Sequence, residues 1–348
     1  MKKKDEPEVI GFGARSIIAN IQNLQNSMLS IKKRLESEDI HDLRVASRRI
    51  RAALEIFASH FPQKKVTLWE NSIRKLTRTF GSARDLDVQI EYIKTLYGHN
   101  KNISFKPGLR RILLRLTQKR QGFQNKLHLT LDEYQQKDIL NKMIVSLEPL
   151  ATLSSTSHQF SKDLYQLAFE TLHQRLEEFL FYEIYIPYPE RVKELHSMRI
   201  AAKRLRYSLE IFAPIYSDKT EHFLEVLRSV QTNLGDIRDC DVWLLYISKF
   251  LEKEKKRVKS FFGNPRPFSR LLPGVQVVQQ DRQAKRNKLY QEFLKNWKKW
   301  YQEDIWGKLR QEIVRPVLVK SGEKLSSSIS SNKLKSPDAS QSDSPSQH

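Results

Sequence analysis

Two short segments of the sequence place histidine, arginine and lysine side chains along one face of a helix. The first segment reads HDLRVASRRIR at 41–51, and the second reads HSMRIAAKRLR at 196–206. At about 100° per residue, each histidine and the basic residues three, seven and ten positions later fall on one stripe of the helix. The apolar residues fall on the opposite face. Each helix is therefore predicted to pack by its apolar face and to present a cationic row.

Cationic rows of this composition suit phosphate groups. From Arg44 to Arg51 the first row is about 10 Å long, which is enough to meet several successive phosphates. Guanidinium groups donate paired hydrogen bonds that match phosphate oxygens. His41 and His196 add ring donors, which become cationic if neighbouring phosphate raises their pKa. A basic helix face is commonly no more than a solvated surface, but two copies with histidine in the same register favour a binding site.

A second motif follows each row. It reads GSARDLDV at 81–88 and GDIRDCDV at 235–242. The rows are displaced by 155 residues and the second motifs by 154, and chance does not place two motifs twice at nearly one offset. The chain is therefore predicted to be an internal duplication with a boundary near residues 150–158.

Acidic residues accompany both motifs. The second motif contributes four aspartates, Asp85, Asp87, Asp239 and Asp241. Their preferred interpretation is structural, as capping and ion-pair contacts of the neighbouring arginine at the start of a helix. A metal site is the alternative, but no further acidic ligands are identifiable, and no metal or other cofactor is predicted. Glu55 and Glu210 are expected to orient Arg51 and Arg206, which precede them by four residues.

The apolar spacing predicts helices that carry these motifs. The helices expected in the first half cover residues 15–36, 40–58, 63–80, 83–97, 107–134 and 136–147. Gly81 is expected to cap the third of them, and Pro107-Gly108, which opens the long basic helix, recurs as Pro273-Gly274. The expected division is a disordered lead-in at 1–12, a first helical half at 13–150, a linker at 151–158, a second helical half at 159–318 and a disordered Ser-rich tail at 319–348.

The composition points to a polyanionic partner. The 348 residues include 61 Lys and Arg against 40 Asp and Glu, a net charge of +21. A field of this size favours nucleic acid, polyphosphate or an anionic membrane surface as the binding partner.

Cys240 is the only cysteine, which excludes an intrachain disulfide and favours a reducing compartment. Because no segment approaches about 18 apolar residues and no signal peptide is evident, a cytoplasmic location without a membrane partner is expected.

The paired motifs resemble those of the CHAD family, the conserved-histidine α-helical domain. The resemblance rests on both copies of both motifs and covers about residues 12–318. It implies an all-α, internally duplicated fold, in which two four-helix-bundle-like halves with pseudo-twofold symmetry surround a basic central channel lined by the two rows. It also implies binding of inorganic polyphosphate and association with polyphosphate granules and their proteins.

The family's basic residues are carried over by position. In the first half they are His41, Arg44, Arg48, Arg49 and Arg51, and in the second His196, Arg199, Lys203, Arg204 and Arg206. Further candidates on the following helices are Arg74, Arg78, Arg84, Arg228 and Arg238. Arg78 has Thr232 at its counterpart, so the two halves need not contribute equally.

Catalysis is not expected. Many CHAD modules are joined to a triphosphate tunnel domain whose signature is Glu-x-Glu-x-Lys on a strand. The segment EPEVI at 6–10 lacks that lysine, and no Walker loop is present. The predicted function is a binding module for inorganic polyphosphate. The alternatives are a nucleic-acid-binding basic protein, disfavoured because the rows carry no interleaved aromatic residues, and an accessory or regulatory module of a phosphohydrolase.

Overall fold

The computed structural model describes residues 6–34, 37–153 and 160–321. These residues form ten α-helices and no strand, which confirms the all-α prediction. The helices are α1 (Pro7–Arg34), α2 (Ser37–Phe57), α3 (Gln63–His99), α4 (Lys106–Gln136), α5 (Ile139–Ala151), α6 (Lys162–Leu180), α7 (Val192–Tyr216), α8 (Glu221–Phe262), α9 (Leu272–Gln302) and α10 (Ile305–Ser321).

The ten helices form two halves with the same order of contacts. In the first half, α2 packs against α1 and α3, α3 against α4, and α1 against α5. In the second half, α7 packs against α6 and α8, α8 against α9, and α6 against α10. The halves meet where α2 contacts α7 and where α4 contacts α9. Most buried apolar side chains belong to one core that runs through both halves, so the two basic helices are held against each other.

Two glycines allow the close approach of α4 and α9. A Cβ atom at Gly108 would overlap the carbonyl oxygen of Leu271, and one at Gly274 would overlap the carbonyl oxygen of Phe105. The two contacts are reciprocal, since each glycine meets the backbone just before the other helix. Such reciprocity is what a pseudo-twofold arrangement requires, and it supports the duplication, which stays a prediction.

Alanine at Gly108 or Gly274 is expected to lower the free energy of unfolding by about 2–3 kcal/mol, because the added methyl group must displace backbone rather than a flexible side chain. Thermal or urea unfolding measures this change. The matched control is Gly122→Ala, also in α4, where a Cβ meets nothing within 4 Å. That control is expected to stabilise the protein by about 0.5–1 kcal/mol. Full stability of Gly108→Ala would contradict the close packing of α4 on α9.

One predicted helix boundary is wrong. Gly81 does not cap a helix but lies in the middle of α3, which continues to His99. Gly235 likewise lies inside α8. The buried residues Phe80, Ala83 and Leu86 continue the apolar face of α3 across the glycine, and this packing keeps the helix intact. The Arg-Asp motif is therefore in the middle of a helix in both halves.

The predicted disordered lead-in is also corrected. Helix α1 begins at Pro7, and Val9, Ile10 and Phe12 are buried. The ring of Phe12 lies 6.1 Å from those of Phe57 and Phe212, one from each half. These apolar residues extend toward the N-terminus the helical pattern that was predicted from residue 15. Residues 1–5, 154–159 and 322–348, which hold the rest of the predicted lead-in and most of the linker and tail, lie outside the described residues.

Candidate anion-binding cleft

Helices α2, α3, α7 and α8 surround a cleft of about 450 Å³. Both predicted rows reach it, so the duplicated motifs converge on one site. The predicted residues that line the cleft are His41, Arg44, Arg48, Arg84, His196, Arg199 and Arg238. The other lining residues are Val45, Asp85, Val88, Gln89, Asp239, Val242 and Trp243.

The glycine of each second motif lies beneath an arginine of the cleft. A Cβ at Gly81 would lie 3.8 Å from the guanidinium carbon of Arg44, and one at Gly235 would lie 3.5 Å from Nε of Arg199. Arg44 donates a hydrogen bond to the carbonyl oxygen of Gly81 at 3.2 Å and pairs with Asp85 at 2.8 Å. An arginine of each row therefore lies across the glycine of the next helix, and for Arg44 the hydrogen bond and ion pair fix where its guanidinium group points.

Arg199 and Lys203 are cations held among other cations. Burial lowers the pKa of Arg199, Asp239 opposes that effect, and Arg48 adds to it. Burial, reinforced by Arg48, Arg199, Arg44 and Arg206, lowers the pKa of Lys203 to about 7. Within the described parts of the chain, neither side chain has a carboxylate at ion-pair distance. A cation in such surroundings gains from any anion that enters the cleft.

The protonation of His196 is affected by the same positive charges. Burial lowers the pKa of its imidazole, and the positive charges of Arg238, Arg199 and Lys203 lower it further. Its Nδ1 atom is buried and has no hydrogen-bond partner among the described residues. The lowered pKa favours the neutral ring in the unliganded protein, and a bound anion would favour the protonated ring.

The aspartates of the second motif divide into two pairs. Asp87 pairs with Arg120 at 2.7 Å, and Asp241 pairs with Arg286 at 2.5 Å. The structural interpretation is correct that these aspartates form ion pairs, but the partners come from the next helices rather than from the same motif. The predicted helix starts are wrong, because both motifs lie inside helices. These two bridges tie α3 to α4 and α8 to α9 at equivalent places. The other pair, Asp85 and Asp239, lies in the cleft itself.

A second basic group extends the first row along α2 and α3. It consists of Arg51, Arg74 and Arg78. Burial, together with Arg74, lowers the pKa of Arg51, and Arg74 is paired with Glu70. The Nε atoms of Arg51 and Arg74 are buried without a hydrogen-bond partner in the described chain. These residues do not line the cleft, but they extend its positive charge along α2 and α3.

In the second half, Arg206 is the counterpart of Arg51, and Lys203 lies between Arg206 and the cleft residue Arg199 in the sequence. The guanidinium group of Arg206 lies 4.8 Å from the ring centre of Tyr207 and 3.6 Å from Glu210. Its Nε atom is likewise buried without a hydrogen-bond partner among the described residues. Both rows therefore run beyond the cleft in the same direction along their helices.

Three predicted residues are turned away from the cleft. Arg49 pairs with Glu210 at 3.0 Å, Arg204 with Glu178 at 2.7 Å and Arg228 with Glu221 at 2.8 Å. Each of these guanidinium groups already has a carboxylate partner, so none belongs to the group of unneutralised cations.

The expectation for the glutamates is half correct. Glu210 contacts Arg206, as predicted, but it also binds Arg49 from the other half. Glu55 instead pairs with Arg175 of α6, so the prediction that it orients Arg51 is wrong. Helical spacing could not reveal Arg175, because it enters from another helix.

An apolar wall of the cleft was missed from the sequence. Val45, Val88, Val242 and Trp243 all line the cleft, and Trp243 is only 4% exposed. The ring of Trp243 packs on Tyr92 with centroids 5.1 Å apart. The valine that ends both copies of the second motif was the available signal, since Val88 and Val242 occupy its last position.

Two further properties of the described chain bear on function. Its His, Cys, Asp and Glu side chains form no cluster of three that could hold a metal ion. Among its helices, none is long and apolar enough to cross a membrane.

Comparisons with known proteins identify the family. No curated protein matches the sequence. The crystal structure of the CHAD domain from the plant Ricinus communis is similar, with 19% identity, 82% of this chain and 93% of that chain covered, and a TM-score of 0.56. PptA from Streptomyces chartreusis is similar at 13% identity, with 84% and 100% covered and a TM-score of 0.55. At these identities the likeness establishes the fold. The family model of the CHAD domain matches residues 16–247, more than half of the sequence, and the chain therefore belongs to the CHAD domain family.

Proposed function

We propose that the chain binds inorganic polyphosphate in the cleft between α2, α3, α7 and α8. A group of cations contributed by both halves carries this proposal. Its members are Arg48, Arg199, Lys203 and Arg238, and none has a carboxylate at ion-pair distance in the described chain. Holding like charges together in a half-buried cleft costs free energy, which a bound polyanion recovers.

A chain of phosphates fits this cleft better than a nucleic acid does. Successive phosphates present anionic oxygens on all sides, and cations approach the cleft from two helices on each side. A nucleic acid would also need a surface for its bases. The one aromatic lining residue, Trp243, is almost fully buried and packed against Tyr92, so it offers no face on which a base could stack.

We infer binding without catalysis, because arginine and histidine side chains outnumber the aspartates in the lining of the cleft. Of its two aspartates, Asp85 is already engaged by Arg44. A protein with this site would bind to cellular structures that are rich in polyphosphate, and association with polyphosphate granules is part of the proposal.

A competition titration with the full chain tests the proposed function. Labelled long-chain polyphosphate, bound at physiological salt, is expected to be displaced by unlabelled polyphosphate at far lower phosphate concentration than by DNA, RNA or ATP. The logarithm of the affinity is expected to fall linearly with the logarithm of the salt concentration, because binding releases the salt counterions that were condensed on the polyphosphate. Equal competition by DNA or RNA would mean that the rows are an unselective cationic surface, and the nucleic-acid alternative would replace the proposal.

A further inference from the structure

The turns that join α3 to α4 and α8 to α9 lie at the same end of the molecule. The short turn Ile103–Phe105 packs against α9, and the turn Arg266–Leu271 packs against α4. We call the surface formed by residues 101–110 and 251–270 the turn surface. Its outer end, where α8 ends, is remote from the cleft, since α8 runs about 30 Å from Trp243 to Gly263.

Large apolar side chains project from the turn surface. Phe261 is 83% exposed and Phe262 53% exposed, and their rings contact each other with centroids 4.8 Å apart. On the adjoining turn, Ile103 is 80% exposed. A small buried cluster of Val258, Phe268 and Leu271 packs the turn against the end of α8. The exposed rings therefore lie at the end of a helix that is anchored to the turn.

The turn surface is also strongly cationic. Residues 251–270 include seven Lys and Arg and two glutamates. Both glutamates are neutralised within the fold. Glu252 pairs with Lys256 at 2.8 Å, and Glu254, fully buried, binds Arg115 and Arg257.

The remaining cations of this segment are exposed and lack an ion pair with any described residue. They are Lys253, Lys255, Lys259, Arg266 and Arg270. The segment thus combines a pair of exposed aromatic side chains with exposed cations on both sides of that pair in the sequence.

We propose that the turn surface docks on an anionic lipid bilayer, with Phe261 and Phe262 entering the interfacial region and the surrounding lysines and arginines meeting the headgroups. Interfacial binding of this kind combines buried apolar side chains with basic residues near a negative surface. A free phosphate chain would use the cations but would gain nothing from the two rings. The sequence-based expectation of no membrane partner rested on the lack of a spanning segment, which a surface contact does not need.

Cosedimentation of the full chain with vesicles tests this docking. The wild-type chain is expected to bind vesicles of phosphatidylcholine mixed with phosphatidylglycerol, and to bind pure phosphatidylcholine weakly. The double variant Phe261→Ser/Phe262→Ser leaves the charge unchanged and is expected to bind the mixed vesicles more than about tenfold more weakly. Its unfolding temperature should stay at the wild-type value, because both rings are exposed.

Two control variants distinguish the turn surface from exposed rings elsewhere and from the cleft. Phe181→Ser removes a ring that is 63% exposed at the end of α6, and it is expected to leave vesicle binding unchanged. A cleft variant with Arg48, Arg199 and Lys203 changed to alanine is expected to keep vesicle binding within about threefold, since its charges lie far from the turn surface relative to the screening length.

Three outcomes would overturn the docking on lipid. One is a wild-type chain that does not bind the mixed vesicles. Another is equal binding by the wild-type chain and the double serine variant, which would assign the attraction to net charge alone. The third is a dimer in sedimentation equilibrium that the double serine variant abolishes, which would make a second copy of the chain the occupant. None of these outcomes depends on polyphosphate binding.

Discussion

Replacing Arg48, Arg199 and Lys203 together with alanine is expected to weaken polyphosphate binding by about a thousandfold or more. Each charge-assisted hydrogen bond to a phosphate is worth about 1.5–3 kcal/mol, and about 1.4 kcal/mol corresponds to a tenfold change in affinity. These three cations come from both halves, and they have no carboxylate at ion-pair distance in the described chain. Arg44 is a poorer target, because it also holds Gly81 and Asp85.

The fold should tolerate this change. The three side chains repel one another, so their removal relieves a cost and the unfolding temperature is expected to stay level or rise. Isothermal titration with long-chain polyphosphate measures the affinity, and thermal unfolding followed by circular dichroism measures the stability.

A matched triple variant makes the test specific. Changing Arg49, Arg204 and Arg228 to alanine removes the same number of basic side chains, but these residues are paired with glutamates outside the cleft. Binding is expected to weaken less than about tenfold, since only the long-range field changes. Equal losses in the two triple variants would show that net charge rather than the cleft determines affinity, and the site would be wrongly assigned.

The second large effect is a dependence of binding on pH through Lys203. Burial and the neighbouring arginines lower the pKa of its amine to about 7 in the unliganded protein. A bound polyanion stabilises the protonated amine and so raises this pKa. At pH values above 7, binding must therefore be accompanied by proton uptake. Affinity is expected to be greatest below pH 7 and to fall by up to about tenfold per pH unit as the pH rises toward the pKa of the bound state.

The stability of the unliganded protein should change in the opposite direction. The pKa of Lys203 is lower in the folded than in the unfolded chain, so the unfolded chain holds more protons above pH 7. This linkage makes the contribution of Lys203 to stability rise with pH across that range. His196, whose pKa is also lowered, adds a further fall in affinity at lower pH than Lys203 does.

Calorimetry in buffers of different ionisation enthalpy measures the proton uptake directly. Long polyphosphate chains are the right ligand, because their few terminal groups contribute little titration of their own. Lys203→Arg keeps the positive charge but cannot release its proton near neutrality, so it is expected to bind without the fall in affinity above pH 7. If Lys203→Arg keeps the wild-type pH profile, another group is responsible. If neither protein binds polyphosphate at any pH, the proposed function itself fails.

Several features of the fold and site could be predicted from the sequence because they are local. Helical spacing places His41, Arg44 and Arg48 on the face opposite the apolar residues, and α2 and α7 do present those faces to the cleft. The recurrence of both motifs predicted that the two halves would resemble each other, and their helices do make equivalent contacts. The boundaries were less predictable. Gly81 resembles a helix cap in sequence, yet packing on both sides of it keeps α3 continuous.

Which basic residues remain unpaired could not be predicted in this way. Arg48 and Arg49 are neighbours in the sequence, but Arg49 meets Glu210 of the other half and Arg48 does not. Lys203 and Arg204 differ in the same manner, because α6 brings Glu178 to Arg204. Local spacing in the sequence cannot reveal a carboxylate partner that belongs to another helix.

The all-α class and the two cationic rows, with side chains suited to phosphate, could be predicted from local sequence, because helix periodicity and side-chain chemistry are set by neighbouring residues. That the rows share one cleft, and which of their cations stay unneutralised, became evident from the packing of the helices. The same packing decided that Asp87 and Asp241 hold Arg120 and Arg286 rather than a ligand. Those outcomes depend on which helices meet across the common core, and that is a property of the whole chain.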